Sequence, residues 1–288
     1  MIPVKGLMNM KIDNGIISIE INNHGAEIRS AKKNNVEYMW CADEKFWGRC
    51  SPVLFPIVGG LKDKKYRVNG VEYSMGQHGF ARDMDFELLE KDEISATYIL
   101  KSNSETIAKY PFQFTLIIKY TLIDSTIKVE WKVTNENDKD MSFSIGAHPA
   151  FNLRDGVNYF KFDNGNDLVY NLIDETGLYA KTPVYTLKND GFVEITKDMF
   201  DKDALIIENG QAKEVSLCDN EKKPYVTVRF SAPLFGLWSK PGAPFVCIEP
   251  WYGRCDRNDF SGEFSQRDHI INMPSGETFE AEYKIELL

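Results

Sequence analysis

Histidine is scarce in this chain, four residues in 288, and amphipathic helical periodicity is scarcer still. The five cysteines, at 41, 50, 218, 247 and 255, form no CxxC pair. Their odd number and the length of the chain speak against a disulfide framework, and no spacing supports a cysteine–histidine metal centre. No apolar run is long enough to span a bilayer, and the opening stretch MIPVKGLMNMKIDNG lacks the apolar core of a signal peptide. Clusters of positive charge are missing too. Lys and Arg are scattered, the net charge is −9 and the pI is near 5.1, which argues against nucleic acid or an anionic membrane surface as the main partner. No linker rich in Pro, Gly or Ser and no repeat of fixed period divides the chain. What remains is a reduced, cytoplasmic protein folded as a single domain over residues 1–288, with no metal expected and its oligomeric state open.

Short runs with period-two alternation are abundant. IISIEIN (Ile16–Asn22), ISATYILKS (Ile94–Ser102), FQFTLIIKYTLI (Phe112–Ile123), TIKVEWKVTNE (Thr126–Glu136), YVTVRFSA (Tyr225–Ala232) and FEAEYKIELL (Phe279–Leu288) all read as strands. Asp124-Ser125 joins two of them as a tight antiparallel hairpin, and Asn69-Gly70 marks a second hairpin in YRVNGVEYSM. The stretch TKDMFDKDAL (Thr196–Leu205) is the one candidate for a helical turn. Strands from end to end predict an all-β protein, a large antiparallel β-sandwich with very little helix, whose concave face offers a cleft.

Four segments interrupt the alternation with polar or ring residues beside Gly or Pro. They are RCSPVLFPIVGG (Arg49–Gly60), GQHGFAR (Gly76–Arg82), SIGAHPAFNL (Ser144–Leu153) and the stretch FVCIEPWYG (Phe245–Gly253). Each sets a titratable group at a strand end or turn, where function tends to sit. Taken singly they have plainer readings. His148 and His78 can be satisfied structural histidines, Glu249 can pair with Arg254 or Arg257, and Arg49 can be a surface cation. Together they suggest a site in which a carboxylate and an imidazole have pKa values moved by their surroundings, beside aromatic faces that stack on sugar rings. Trp40, Trp47, Trp238 and Trp251 all fall near these segments, although large aromatics are usually core.

In this order, Arg with PVLFP, then HGFAR, HPAFNL, DALIIEN and CIEPWYG, the motifs resemble the aldose 1-epimerase (galactose mutarotase-like) superfamily, and within it the shorter bacterial branch that includes the LacX-type proteins. The resemblance covers essentially the whole chain. It implies a supersandwich that binds a free aldohexose and interconverts its α and β anomers with no cofactor. Carried onto matching positions, it makes Glu249 the base that takes the anomeric proton and His148 the acid that protonates the ring oxygen, the imidazole holding its proton near neutral pH. It makes His78, Arg49 and Asp203 substrate-binding residues; Trp238 and Trp251 are added as candidate substrate-binding aromatics because indole faces stack on sugar rings. One departure stands out: Ala150 occupies the place of the family's tyrosine in His-x-Tyr-Phe-Asn-Leu, so the chemistry carries over further than the sugar preference. Three other readings compete. A mutarotase for hexose 6-phosphates needs a cationic pocket, for which Arg82, Arg254 and Arg257 are available. A non-catalytic sugar sensor would bind without accelerating anomer exchange. A glycoside hydrolase needs a second carboxylate, for which Asp203 is the only candidate.

Overall fold

The computed structural model describes residues 9–288; the first eight, which begin the stretch read above for a signal peptide, lie outside the described residues. Alternation builds the larger sheet. Along Phe114–Ile123 the residues Phe114, Leu116, Ile118, Tyr120 and Leu122 are buried while those between them face outward. Thr126–Asn135 continues the pattern, pairing Ile123 with Thr126 across Asp124-Ser125. These two long strands lie within a sheet of nine antiparallel strands. Their order in space is Val193–Glu194, Tyr159–Phe162, Glu214–Cys218, Pro224–Phe230, Thr278–Leu287, Thr126–Asn135, Phe114–Ile123, Ser95–Lys101 and Glu87–Lys91.

The smaller sheet runs Leu205–Ile207, Leu234–Trp238, Phe245–Tyr252, Ile145–Ala147 and Val53–Leu54, with Ala150–Asn152 also paired to Phe245–Tyr252. One contiguous apolar cluster joins the two sheets, taking Leu116, Ile118 and Val129 from the first and Phe235, Val246 and Ile248 from the second. The result is the antiparallel β-sandwich that the alternation predicts. A four-stranded sheet from Asn9–Asp13 to Val36–Glu37 adds Ile12, Ile19 and Ile28 to the same cluster.

The predicted strands differ from the observed ones by one or two residues at their ends. The Asn69-Gly70 hairpin forms, with φ of 51° and 78° at its two turn residues, the left-handed pair that an Asn-Gly turn accepts. Two helical details depart from the sequence reading. Thr196–Leu205 makes no helix: its N–H groups at Met199, Asp201 and Asp203 bond three residues back, and Asp203 closes the series at φ 74°. A short helix forms instead at Ser104–Lys109, where the Asn103 side chain accepts from the Thr106 N–H and the Thr106 hydroxyl caps Asn103 in return.

Period two also separates the faces of Phe245–Tyr252. Val246 and Ile248 enter the core, while Phe245, Cys247, Glu249 and Trp251 face away from it. On Leu234–Trp238, Phe235 and Leu237 enter the core, and the register sets Gly236 opposite Glu249 and Trp238 opposite Cys247. Gly146 stands opposite Trp251 on the other side. A Cβ at Gly236 would lie 2.5 Å from the Trp251 ring and one at Gly146 2.8 Å from it. Both glycines are therefore required for space, and the indole lies across them. Gly236→Ala should push Trp251 out of this slot and destabilise the fold by about 1–3 kcal/mol. Denaturant melts and tryptophan fluorescence check this; an unchanged midpoint and spectrum would mean that the slot is loose.

Candidate active site

All seven residues singled out from the sequence, Arg49, His78, His148, Asp203, Trp238, Glu249 and Trp251, line one cavity of about 320 Å³ on the outer side of the smaller sheet. Four distant segments thus converge. The cavity also takes in Trp47, Gln77 and Arg82. Trp47 was noticed only as a neighbour of an unusual segment, and its place two residues before Arg49 was the available signal.

His148 occupies the turn between Ile145–Ala147 and Ala150–Asn152, where its N–H bonds the Pro52 carbonyl at 3.1 Å. Its ring stacks on Trp47, centroids 4.7 Å apart and planes 29° apart, and meets Trp238 and His78 edge-on at 5.5 and 5.7 Å. Its Nε2 lies 3.3 Å from Glu249 Oε2. The contact is close, yet it lacks hydrogen-bond alignment, and neither Glu249 Oε2 nor His148 Nδ1 has a partner in the protein.

His78 is held at φ 66°, a left-handed backbone uncommon outside glycine. Its N–H bonds the Gly59 carbonyl at 2.9 Å and its Nδ1 accepts the Gly59 N–H at 3.1 Å. A ring that accepts at Nδ1 carries its proton on Nε2, so His78 is a donor. Burial, then the charges of Arg82, His148 and Arg49, keep it neutral by pushing its pKa well below the usual 6.5. Arg49 is placed by the following backbone: the Cys50 and Ser51 N–H groups both donate to Oε1 of buried Glu27, at 2.7 and 2.8 Å. Its guanidinium bonds Asp83 at 2.7 Å. Arg82 donates to the Gln77 carbonyl at 2.8 Å, while its buried Nε makes no hydrogen bond and lies 3.9 Å from the same Asp83 carboxylate. Asp203 is exposed at the rim, its Oδ1 accepting the N–H of Ala204.

Burial dominates the electrostatics. Glu249 is 1% exposed, and desolvation raises its pKa well above 4.5; the nearby Trp251 indole works against the rise and Asp203 adds to it. His148 moves the opposite way, pushed down to about 3 by burial and by the like charges of Arg82 and Arg49. Both shifts favour the neutral forms of the pair, the reverse of the imidazolium that the resemblance implies for His148 near neutral pH. Arg254 and Arg257 do not reach the cavity. Arg254 bonds Glu208 and Asp268 and lies 3.6 Å from the Tyr179 ring centroid, and Arg257 bonds Asp259 and Asp268. Neither pairs with Glu249 nor supplies a cationic pocket. Among the described residues, the buried side-chain atoms left without a protein partner are Arg82 Nε, Tyr98 Oη, His148 Nδ1, Glu249 Oε2 and Trp251 Nε1. Four of these five belong to residues that line this cavity. Native interiors rarely leave such groups unpaired.

The sequence profile of the aldose 1-epimerase family matches residues 8–252. The chromosomal LacX protein of Lactococcus lactis subsp. lactis is 30% identical over 98% of this chain and 100% of its own length. A galactose mutarotase related enzyme from Lactobacillus acidophilus superposes with a TM-score of 0.92 at 35% identity, over 98% of this chain and 97% of that one. A galactose mutarotase-like protein from Lactobacillus casei ATCC 334 does so at 0.91 and 29%, over 98% of this chain and 100% of that one.

The raised carboxyl has a consequence for stability. A folded-state pKa above the unfolded 4.5 favours the fold below that pH and loses the advantage as pH rises through the folded value. Glu249→Gln removes the ionisable group. The variant should match wild type near pH 4 and exceed it by about 1 kcal/mol or more at pH 8, as urea melts at the two pH values would show. A Gln variant less stable than wild type at both would count against a strained carboxyl.

Proposed function

The chain belongs to the aldose 1-epimerase family, and from that premise we propose that it is a cofactor-independent mutarotase that opens and recloses the ring of an aldohexose on the Glu249–His148 pair. The observation that carries the reading is the pair itself: a desolvated carboxyl and a desolvated imidazole, 3.3 Å apart, at the wall of a cavity whose polar atoms lack partners. Ring opening takes one proton from the anomeric hydroxyl and delivers one to the ring oxygen. A pair that holds a single exchangeable proton does both, one member accepting while the other donates. The resemblance gives the accepting role to Glu249 and the donating role to His148. That arrangement differs from the resting one by a single proton transfer between the two groups, and the pair titrates as a unit. His78, neutral and donating from Nε2, is suited to an oxygen that gains negative charge during opening. Trp47 and Trp238 add aromatic surface to the cavity wall against which a sugar ring can pack. The imidazole beside Glu249 favours this reading over a hydrolase, in which a second carboxylate would take that place.

A specific observation also favours an anionic sugar. Arg49 and Arg82 line the same cavity, two guanidiniums sharing the single carboxylate of Asp83, and Arg82 Nε makes no hydrogen bond. A phosphate on the sugar would be held by such donors. Glucose and glucose 6-phosphate compared in one assay separate the two substrates. If the phosphate is bound, Arg82→Gln should lower kcat/KM for the phosphorylated sugar by about tenfold or more while changing that for the free sugar little. Equal losses on both would remove the phosphate reading.

For the chemistry, Glu249→Gln and His148→Ala should each reduce accelerated anomer exchange to near the uncatalysed rate, a loss on the order of 10²–10⁴-fold, with the fold intact. Polarimetry of freshly dissolved α-glucose and α-galactose, or NMR exchange on a panel of aldoses, makes the measurement. Near wild-type rates in either variant would take that residue out of the mechanism, and sugar binding without acceleration in wild type would mark a sensor.

A further inference from the structure

We propose that the wall of the cavity is also a binding site for a divalent ion of the zinc class, held by the Cys247 thiolate, the His148 imidazole and the Glu249 carboxylate, and that its occupation switches the proton-transfer pair off. The inhibitory consequence rests on the function proposed above; the binding does not.

No local sequence spacing announces this site, because the fold assembles it. Cys247 and Glu249 lie two residues apart on one strand, so their side chains leave the same face. Ala150 pairs with Cys247 across the sheet, which brings the His148 turn over both. One donor atom from each of the three lies within 4.8 Å of the others, and all three residues are buried. His148 Nε2 and Glu249 Oε2, at 3.3 Å, already stand at about the separation that tetrahedral bonds of 2.0–2.1 Å impose.

The donor set has a chemical preference. Thiolate and imidazole select zinc, cobalt or cadmium over magnesium and calcium, which need a cage of oxygens. His148 and Glu249 line the cavity, while Cys247 packs behind them with Trp40, Ala150 and Phe245; an ion held by the three would turn its fourth position to the cavity side, where a water or a sugar hydroxyl completes the tetrahedron. Glu249 Oε2 is buried, without a hydrogen-bond partner, and 3.3 Å from the imidazole, so it leaves a lone pair free for an ion between them. Binding exchanges the thiol proton and the carboxyl proton for metal bonds and releases both to solvent; nothing is oxidised or reduced. His148 Nδ1 has no carboxylate or carbonyl to orient the ring, so the site is weaker than a dedicated zinc centre. An ion there occupies the lone pairs that proton transfer requires, and exchange stops.

Cobalt(II) tests the binding without reference to activity. The titration uses full-length protein carrying Cys41→Ser, since Cys41 is the exposed thiol. A near-ultraviolet thiolate-to-cobalt charge-transfer band that saturates at one equivalent is expected, and Cys247→Ser in the same background should lose it. Zinc chloride should inhibit mutarotation in the Cys41→Ser protein. Cys247→Ser should keep the metal-free rate and resist zinc by about tenfold or more. Circular dichroism checks the fold of Cys247→Ser, and Cys247→Ala replaces it if the buried hydroxyl is not tolerated. No thiolate band in the Cys41→Ser protein, or a band that survives in the folded Cys247 variant, overturns the proposal. A protein that shows the band but no mutarotation keeps the site and loses only the function assigned above.

Discussion

A carboxyl removed from water must be protonated, paired or solvated by fixed dipoles, and Glu249 is held where each of these is only partly met. Its strand has the core on one face, so period two sends Val246 and Ile248 inward and leaves Glu249 on the face of the cavity. Its cross-strand partner is Gly236, whose missing side chain makes room for the Trp251 indole beside the carboxyl. The nearest polar group is the imidazole of His148, itself pressed against Trp47. Sheet register, two glycines and three aromatic rings thus serve one end, which is to keep water from a group that would otherwise be an ordinary acid. A fold selected for stability alone would not place a carboxyl there.

The unpartnered polar atoms repeat the point from another direction. Across the described residues four of the five gather at this cavity, on Arg82, His148, Glu249 and Trp251, while the polar groups of the Arg254–Glu208–Asp268 network are well paired. The contrast is physical. A buried network built for structure closes on itself, whereas a site built for a polyhydroxylated ligand leaves donors and acceptors for the ligand to close.

Much of this was legible in the sequence because of how its information is stored. Long strands of the larger sheet alternate for ten residues, as in Phe114–Ile123, and alternation over that length has one reading. The site residues were legible for the opposite reason: His148, His78 and Glu249 interrupt an otherwise regular pattern. The strands that carry the site were harder. Val53–Leu54, Ile145–Ala147 and Ala150–Asn152 are two or three residues long and buried on both faces, so no period can show. Trp47 reads from the sequence as one more core aromatic, and only its stacking on His148 makes it part of the site. The helix at Ser104–Lys109 depends on a mutual cap between Asn103 and Thr106 rather than on periodicity. Arg254 and Arg257 mislead for a related reason: sequence shows their proximity to Glu249 but not the carboxylates that claim them.

The depressed pKa of His148 bears on substrate choice as well as on mechanism. Burial is its largest cause, but Arg82 and Arg49 contribute by like charge. A neutral sugar leaves both guanidiniums in place and the imidazole as a poor acid acceptor of protons. A phosphate seated on Arg49 and Arg82 would cancel their field at the ring and raise its proton affinity, drawing the proton from Glu249 toward His148. The roles that the family resemblance assigns, carboxylate as base and imidazolium as acid, would then be established by the substrate itself. In that arrangement the same two arginines that select an anionic sugar also prepare the proton for its ring oxygen, and binding and catalysis become one electrostatic event.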